Sequence, residues 1–158
     1  MAKRKYAIFA AAAFAALQLM TGCGNDETDA AGQAQQPGET AACCDLSKTK
    51  DGTYTAESSA DKVHGKSVIS LTIKDHTITA VNYQGIDKDG TPKTSDYGKD
   101  KDPTNAKKAK SAFEAQQKYA DQLLQKQKLA QVDAISGATI NYHQFIEAVK
   151  KDLEEANK

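Results

Sequence analysis

DAISGATINY, residues 133–142, leads into the last strongly helical stretch of the chain. An acid and an apolar pair are followed by four small residues, Ser136, Gly137, Ala138 and Thr139. Beyond them Tyr142, Phe145/Ile146, Val149, Leu153 and Ala156 form one apolar stripe at helical spacing, with Glu147, Lys150, Lys151, Asp152 and Glu154 on the other face. Thr139 or Asn141 is the expected N-cap, and Asn141 with Gln144 has the spacing of a capping box. A helix N-terminus carries unpaired N–H groups and partial positive charge, which suits a phosphate. Gly137 lacks a Cβ and lets a phosphate approach the backbone. Ser136 can donate a further hydrogen bond, and Thr139 offers an oxygen that can be joined to phosphorus. Asp133 can hold a divalent cation that neutralises phosphate during such a transfer. A tight, capped turn accounts for the same residues more plainly, and on residue chemistry alone it is the favoured reading.

Working outward, the chain changes period twice. Thr53–Ser58, Lys66–Ile73 and Thr77–Ile86 are rich in β-favouring residues and are separated by turn residues, Lys74-Asp75-His76 among them. The second and third runs predict a hairpin. From Thr104 the spacing becomes helical, with Ala106, Ala109, Ala112/Phe113, Ala120, Leu123 and Leu124 in phase. Thr104 or Asn105 is the expected cap after Pro103, and the helix is expected to end near Lys126 or Lys128. Lys107, Lys108 and Lys110 crowd its positive end, at some cost in stability. The sum is an α+β domain, a small antiparallel sheet of hairpins packed against two main helices.

The 158-residue chain carries 21 basic and 21 acidic side chains, no Trp and 6% aromatic residues. Balanced charge argues against a nucleic-acid partner. Lys3, Arg4 and Lys5 precede an apolar, Ala-rich run from Tyr6 to Met20, the pattern of a secretory signal over residues 1–22. Leu19-Met20-Thr21-Gly22-Cys23 resembles a bacterial lipobox, with Met20 a mild departure. The resemblance implies that Cys23 is diacylated, and two chains at about 0.8 kcal/mol per buried CH₂ make a stable membrane anchor. Residues 23–50 read as the lipidated Cys and a flexible tether, because almost no large apolar side chain is present to offset ordering entropy. Roughly 27 such residues span about 30 Å as a coil. Cys43-Cys44 is open to three readings: a redox or metal pair, a vicinal disulfide, or spare thiols. The last two are favoured, since metal sites space their Cys more widely. The folded domain is expected over residues 51–158.

Asp133 to Thr139 resembles the flavinylation motif of FMN-binding domains, D-x-x-S-G-A-T, at every defined position. The family includes periplasmic subunits of sodium-pumping quinone reductases. The resemblance implies that a flavin transferase, using FAD and Mg²⁺, attaches FMN through its phosphate to Thr139, with Asp133, Ser136, Gly137 and Ala138 completing the site and a transient Mg²⁺ at Asp133. The likeness runs over roughly residues 51–156. Asp51-Gly52-Thr53-Tyr54 resembles the family's opening strand. The hairpin resembles one usually turned by Lys-Asp-Gly, here with His76 at the Gly position, so a positive φ there carries a small strain. Asp96-Tyr97-Gly98-Lys99 and Ile140 to Phe145 resemble the FMN lipoproteins of Gram-positive bacteria, which serve in extracellular electron transfer. Many relatives carry Ser at the position of Asn141, and Asn can also cap.

The expectation is therefore a lipid-anchored flavoprotein on the outer face of the cytoplasmic membrane. It would take electrons from a membrane quinol-linked reductase and pass them to extracellular acceptors, as a carrier rather than a self-contained enzyme. The alternatives are an FMN-domain subunit docked on a membrane oxidoreductase and a non-redox binding or surface-antigen lipoprotein. His64-Gly65 is read as a loop that can approach the flavin, although a solvated His is the plainer account. Tyr97 is a possible flavin-stacking ring, whereas Tyr54 and Tyr83 equally suit the core. Three scattered His, His64, His76 and His143, make a poor metal site, and no Ser-His-Asp set is visible.

Overall fold

The computed structural model describes residues 44–158. The expected signal peptide, Cys23, the stretch 24–42 and Cys43 lie outside the described residues. Three strands, β1 (Gly52–Glu57), β2 (Lys66–Lys74) and β3 (Thr77–Ile86), form one antiparallel sheet in the order β1-β2-β3. Two helices follow, α1 (Pro103–Lys126) and α2 (Thr139–Ala156), joined through a 3₁₀ turn at Leu129–Gln131. The α+β expectation and its two main helices hold.

Strand β2 is the spine. Ile69, Leu71 and Ile73 alternate inward and are almost fully buried, while Val68 is half-buried on the other face. In β3 the alternation slips. Ile73 pairs with Ile78 but Thr72 pairs with Ala80, so β3 carries one extra residue, a bulge. The extra residue resets the phase and turns both Ile78 and Tyr83 toward the core, which explains apolar residues spaced oddly along one strand. The connecting turn places Asp75 and His76 at φ 49° and 59°. Both central residues lie in the left-handed region, as a two-residue hairpin of this hand requires. Asp51 Oδ1 accepts the Asp75 N–H at 2.9 Å and ties the turn to the start of β1.

Both helices cover the same face of the sheet, α1 over β3 and α2 over β1 and β2. The α2 stripe is buried as expected, with Tyr142 half-buried at its start. Asp152, expected on the solvent face, is instead buried among the apolar residues. The α1 stripe is corrected: Ala115, Gln116 and Tyr119 face the core with Ala109, Ala120 and Leu123, and Leu124 is exposed. Both helices and β3 meet at stacked rings, with Phe145 of α2 centred 5.5 Å from Tyr83 of β3 and 5.8 Å from Tyr119 of α1. Helix α1 is capped by Asp102, not by Thr104 or Asn105. The Asp102 carboxylate accepts the N–H groups of both those residues at 3.1 Å, and Pro103 has no N–H to satisfy.

The segment expected as tether up to residue 50 is packed from Cys44 onward. Cys44 and Leu46 rest against the core, Thr49 is buried, and the Lys50 N–H donates to Ala156 O at 2.8 Å. Leu46 supplies the apolar surface, and the terminal carbonyl of α2 supplies an acceptor that otherwise lacks a partner. Tyr54 adds its hydroxyl, donating to Lys50 O at 2.9 Å.

Candidate functional site

The stretch between the helices is held from α1. Tyr119, fully buried at its ring, reaches it with its hydroxyl, which accepts the Ile135 N–H at 2.9 Å and donates to Ala138 O at 3.2 Å. One turn on, Gln122 Oε1 accepts the Asp133 N–H at 2.8 Å and its amide donates to Asp133 O at 3.2 Å. A further turn on, Lys126 Nζ reaches Asp133 Oδ2 and Gln131 O, both at 2.6 Å. Positions 119, 122 and 126 share one helix face, so a single ladder fixes the loop. Sequence reading missed all three. The signal was there: side chains with polar tips recur along a helix face that also buries apolar residues.

The turn itself closes with the Ala138 N–H donating to Ile135 O at 3.0 Å. Gly137, third of its four residues, has φ 78°, the left-handed value that favours glycine at this position. A Cβ at Gly137 would meet nothing within 4 Å. The motif divides cleanly: Ile135 packs on the core and Ala138 is buried, whereas Ser136, Gly137 and Thr139 are exposed. Thr139 is the first residue of α2. The cap position is Ala138, with no side-chain cap bond. The expected caps are thus corrected. The Asn141 amide turns away to Ala112 O at 3.4 Å. Gln144 is buried and donates to Gly65 O at 2.8 Å while its Oε1 lies 3.0 Å from Ser67 Oγ. Its side chain is drawn across to the sheet because buried amide groups must find partners there.

That link brings the Asp61–Gly65 loop to the first turns of α2. Ser67 Oγ lies 2.8 Å from the Tyr83 hydroxyl, which donates to Asn141 O at 3.1 Å. Burial pushes the Tyr83 hydroxyl up to about 12, so it stays a neutral hydrogen-bonding group. His64 is held by Asp61, whose Oδ1 lies 2.8 Å from His64 Nδ1 and accepts the backbone N–H groups of Val63 and His64. Those hydrogen bonds, the His64 amide first, lower the Asp61 carboxyl. Lys93, mostly buried, donates to His64 O, and burial lowers its ammonium. The Tyr97 ring is faced by Lys93 and Lys101, with Nζ 5.1 and 5.8 Å from its centre. His143 is exposed against the edge of Tyr142.

A cavity of about 540 Å³ opens between the start of α1 and the motif. Pro103, Lys107, Lys108 and Ser111 line it from α1, Ser136 and Gly137 from the turn. Its volume lies in the range of small-molecule sites. Its lining of apolar surface, two cations and a bare glycine backbone fits a flat aromatic group that carries a phosphate. Lys107 and Lys108 were read from sequence only as a helix cost; cations gathered where the helix disfavours them were the available clue. Asp133 is exposed and paired with Lys126, so a cation there would compete with that ammonium. Among the described residues no three His, Cys, Asp or Glu side chains gather into a metal site.

The chain resembles the CPE2226 protein of Clostridium perfringens, known from a crystal structure, at 28% identity and a TM-score of 0.55, over 68% of this chain and 88% of that one. A protein of Clostridium thermocellum, known from a solution NMR structure, is 26% identical over 69% of this chain and 93% of that one, with a TM-score of 0.42. Among curated proteins none matches. The family model described as FMN-binding domain matches residues 62–154, more than half of the chain and all of the motif. The chain belongs to the FMN-binding domain family.

Proposed function

We propose that this flavoprotein carries FMN as a phosphoester on Thr139 and acts as a lipid-anchored electron carrier outside the cell. The observation that carries this reading is exposed Thr139 at the first position of α2, directly after a turn whose apolar residues Ile135 and Ala138 pack inward while Ser136 and Gly137 face out. The attachment step is a transfer from FAD by a flavin transferase with Mg²⁺. Thr139 Oγ bonds to the FMN phosphorus, the P–O–P bridge of FAD breaks, AMP leaves, and the hydroxyl proton passes to the transferase. Tyr119, Gln122 and Lys126 hold the turn in place for that step, and Gly137 keeps its approach open. When bound, the flavin supplies the redox chemistry, and the protein supplies attachment, orientation and exposure.

The described chain packs on the domain from Cys44 onward, where Cys44–Ser47 border Gln127–Ala130. On this reading a tether from Cys23 carries the domain between a membrane quinol-linked reductase and extracellular acceptors, with Thr139 exposed. The large exposed apolar side chains among the described residues, Val63, Leu124 and Ile140, sit on three different elements. That favours a moving domain over a permanently docked subunit.

The test is ultraviolet flavin fluorescence in a denaturing gel after co-production with a flavin transferase, beside Thr139→Ala, with intact masses. A fluorescent band in the parent alone, heavier by FMN less water, is the expected outcome. Dark bands in both, with a transferase active on another substrate, would remove the covalent reading and leave FMN bound without a bond or the non-redox alternative.

A further inference from the structure

We propose that Lys107 and Lys108 form the cationic wall of the flavin site and raise the reduction potential of the cofactor. This rests on the reading that FMN sits at the motif. Lys107, Lys108 and Ser111 lie on one face of α1, and that face borders the same cavity as Ser136 and Gly137. Of the three lysines near the start of α1, only Lys110 has an acidic partner among the described residues, Glu114 at 3.9 Å. Lys107 and Lys108, both exposed, are consecutive in the second turn of the helix without one. Their charges are open to an anion in the cavity they line.

The flavin supplies that anion, and more of it after reduction. As a phosphoester it carries one negative charge. On taking up two electrons and one proton from a reductant, the ring gains a second. Two ammonium groups across a partly apolar cavity interact more strongly with the doubly charged form. The reduced cofactor is therefore held more tightly than the oxidised one, and the difference appears directly as a higher potential. Ser111 and Ser136 line the same cavity and are uncharged in either redox state.

The experiment is an equilibrium redox titration of the full chain, loaded with FMN and reduced with dithionite in the presence of indicator dyes. Parent, Lys107→Gln, Lys108→Gln, the double variant, Lys107→Arg with Lys108→Arg, and Lys110→Gln are compared, each with its flavin content fixed by intact mass. Loss of each groove lysine is expected to weaken the reduced form relative to the oxidised one about tenfold, which is about 30 mV for a two-electron couple. The arginine pair is expected to keep the parent potential, and Lys110→Gln to leave it in place. Raising ionic strength should narrow the gap between parent and double variant. An unchanged potential in a fully flavinylated double variant overturns the inference and leaves the FMN reading standing. An equal shift in Lys110→Gln also overturns it, because the effect would then be one of net charge. A parent chain without flavin fails the underlying reading itself.

Discussion

The two ends of α2 are built on opposite plans. At its start the backbone is held by others: Tyr119 grips Ile135 and Ala138, while Ser136, Gly137 and Thr139 face outward with no side-chain cap. At its far end Asp152, Leu153 and Ala156 are buried, and the incoming chain closes the last carbonyl through Lys50. One end leaves reactive groups open on a fixed scaffold. The other spends its polar groups on packing, and even buries a carboxylate whose two oxygens have no hydrogen-bond partner. An exposed hydroxyl on a fixed turn suits a site that other molecules must reach, and a packed end suits a structural junction.

The largest expected effect lies at the packed end. Burial pushes the Asp152 carboxyl up to about 7 from 3.8. The unfolded chain ionises this group near its ordinary value, whereas the folded protein keeps its proton longer and so binds more protons between about pH 4 and pH 7. Stability from this group is full below pH 4 and is lost as pH rises through 7. The full shift is on the order of 4 kcal/mol. Thermal midpoints of parent and Asp152→Asn should differ little at pH 4 and widely at pH 8, with the variant the more stable. Parallel pH profiles would mean that the two ends are not built differently after all.

The next effect lies at the open end. Tyr119→Phe keeps the ring but leaves the Ile135 N–H without its acceptor and takes one of two donors from the Ala138 carbonyl, which keeps the Tyr142 N–H at 3.0 Å. The expected cost is about 1–3 kcal/mol, with faster hydrogen exchange at Ile135 and a smaller flavinylated fraction. Full protection at Ile135 in the variant would show that Gln122 and Lys126 suffice to hold the loop. The smallest effect is at Gly137→Ala. The φ of 78° disfavours a side chain by about 1 kcal/mol, yet no atom lies within 4 Å of the new Cβ. Denaturant unfolding should therefore show a modest loss, while attachment at Thr139 slows because the methyl group faces the approach. A loss above about 3 kcal/mol would place a hidden contact at the turn.

Much of this plan was legible in the residues. The strand runs, the end of α1 at Lys126 and the stripe of α2 follow from local period and turn chemistry, and their spans agree with the sequence within a residue or so. The motif was legible because its spacing is specific. The errors are physical and particular. The bulge at Thr79 shifts the inward phase of β3, and no local pattern marks such a slip. Asp152 reads as a surface acid because its charge says so, and only the packing of β1 and β2 on α2 buries it. Asn141 and Gln144 match a capping box, but buried partners on Gly65, Ser67 and Ala112 compete successfully for their amides. Asp102 was passed over as a cap although it precedes Pro103, the usual sign of a helix start.

The sequence by itself determined the order of elements, the turn residues and the D-x-x-S-G-A-T stretch, because these depend on interactions within a few residues: propensity, periodicity and the φ that glycine permits. Only the tertiary structure decided that Lys107 and Lys108 border the same cavity as Ser136 and Gly137, that Tyr119 holds the turn, and that Lys50 pairs with the last carbonyl of α2. Those relations join residues far apart in the chain, and they are fixed by burying one shared core, which no local pattern specifies.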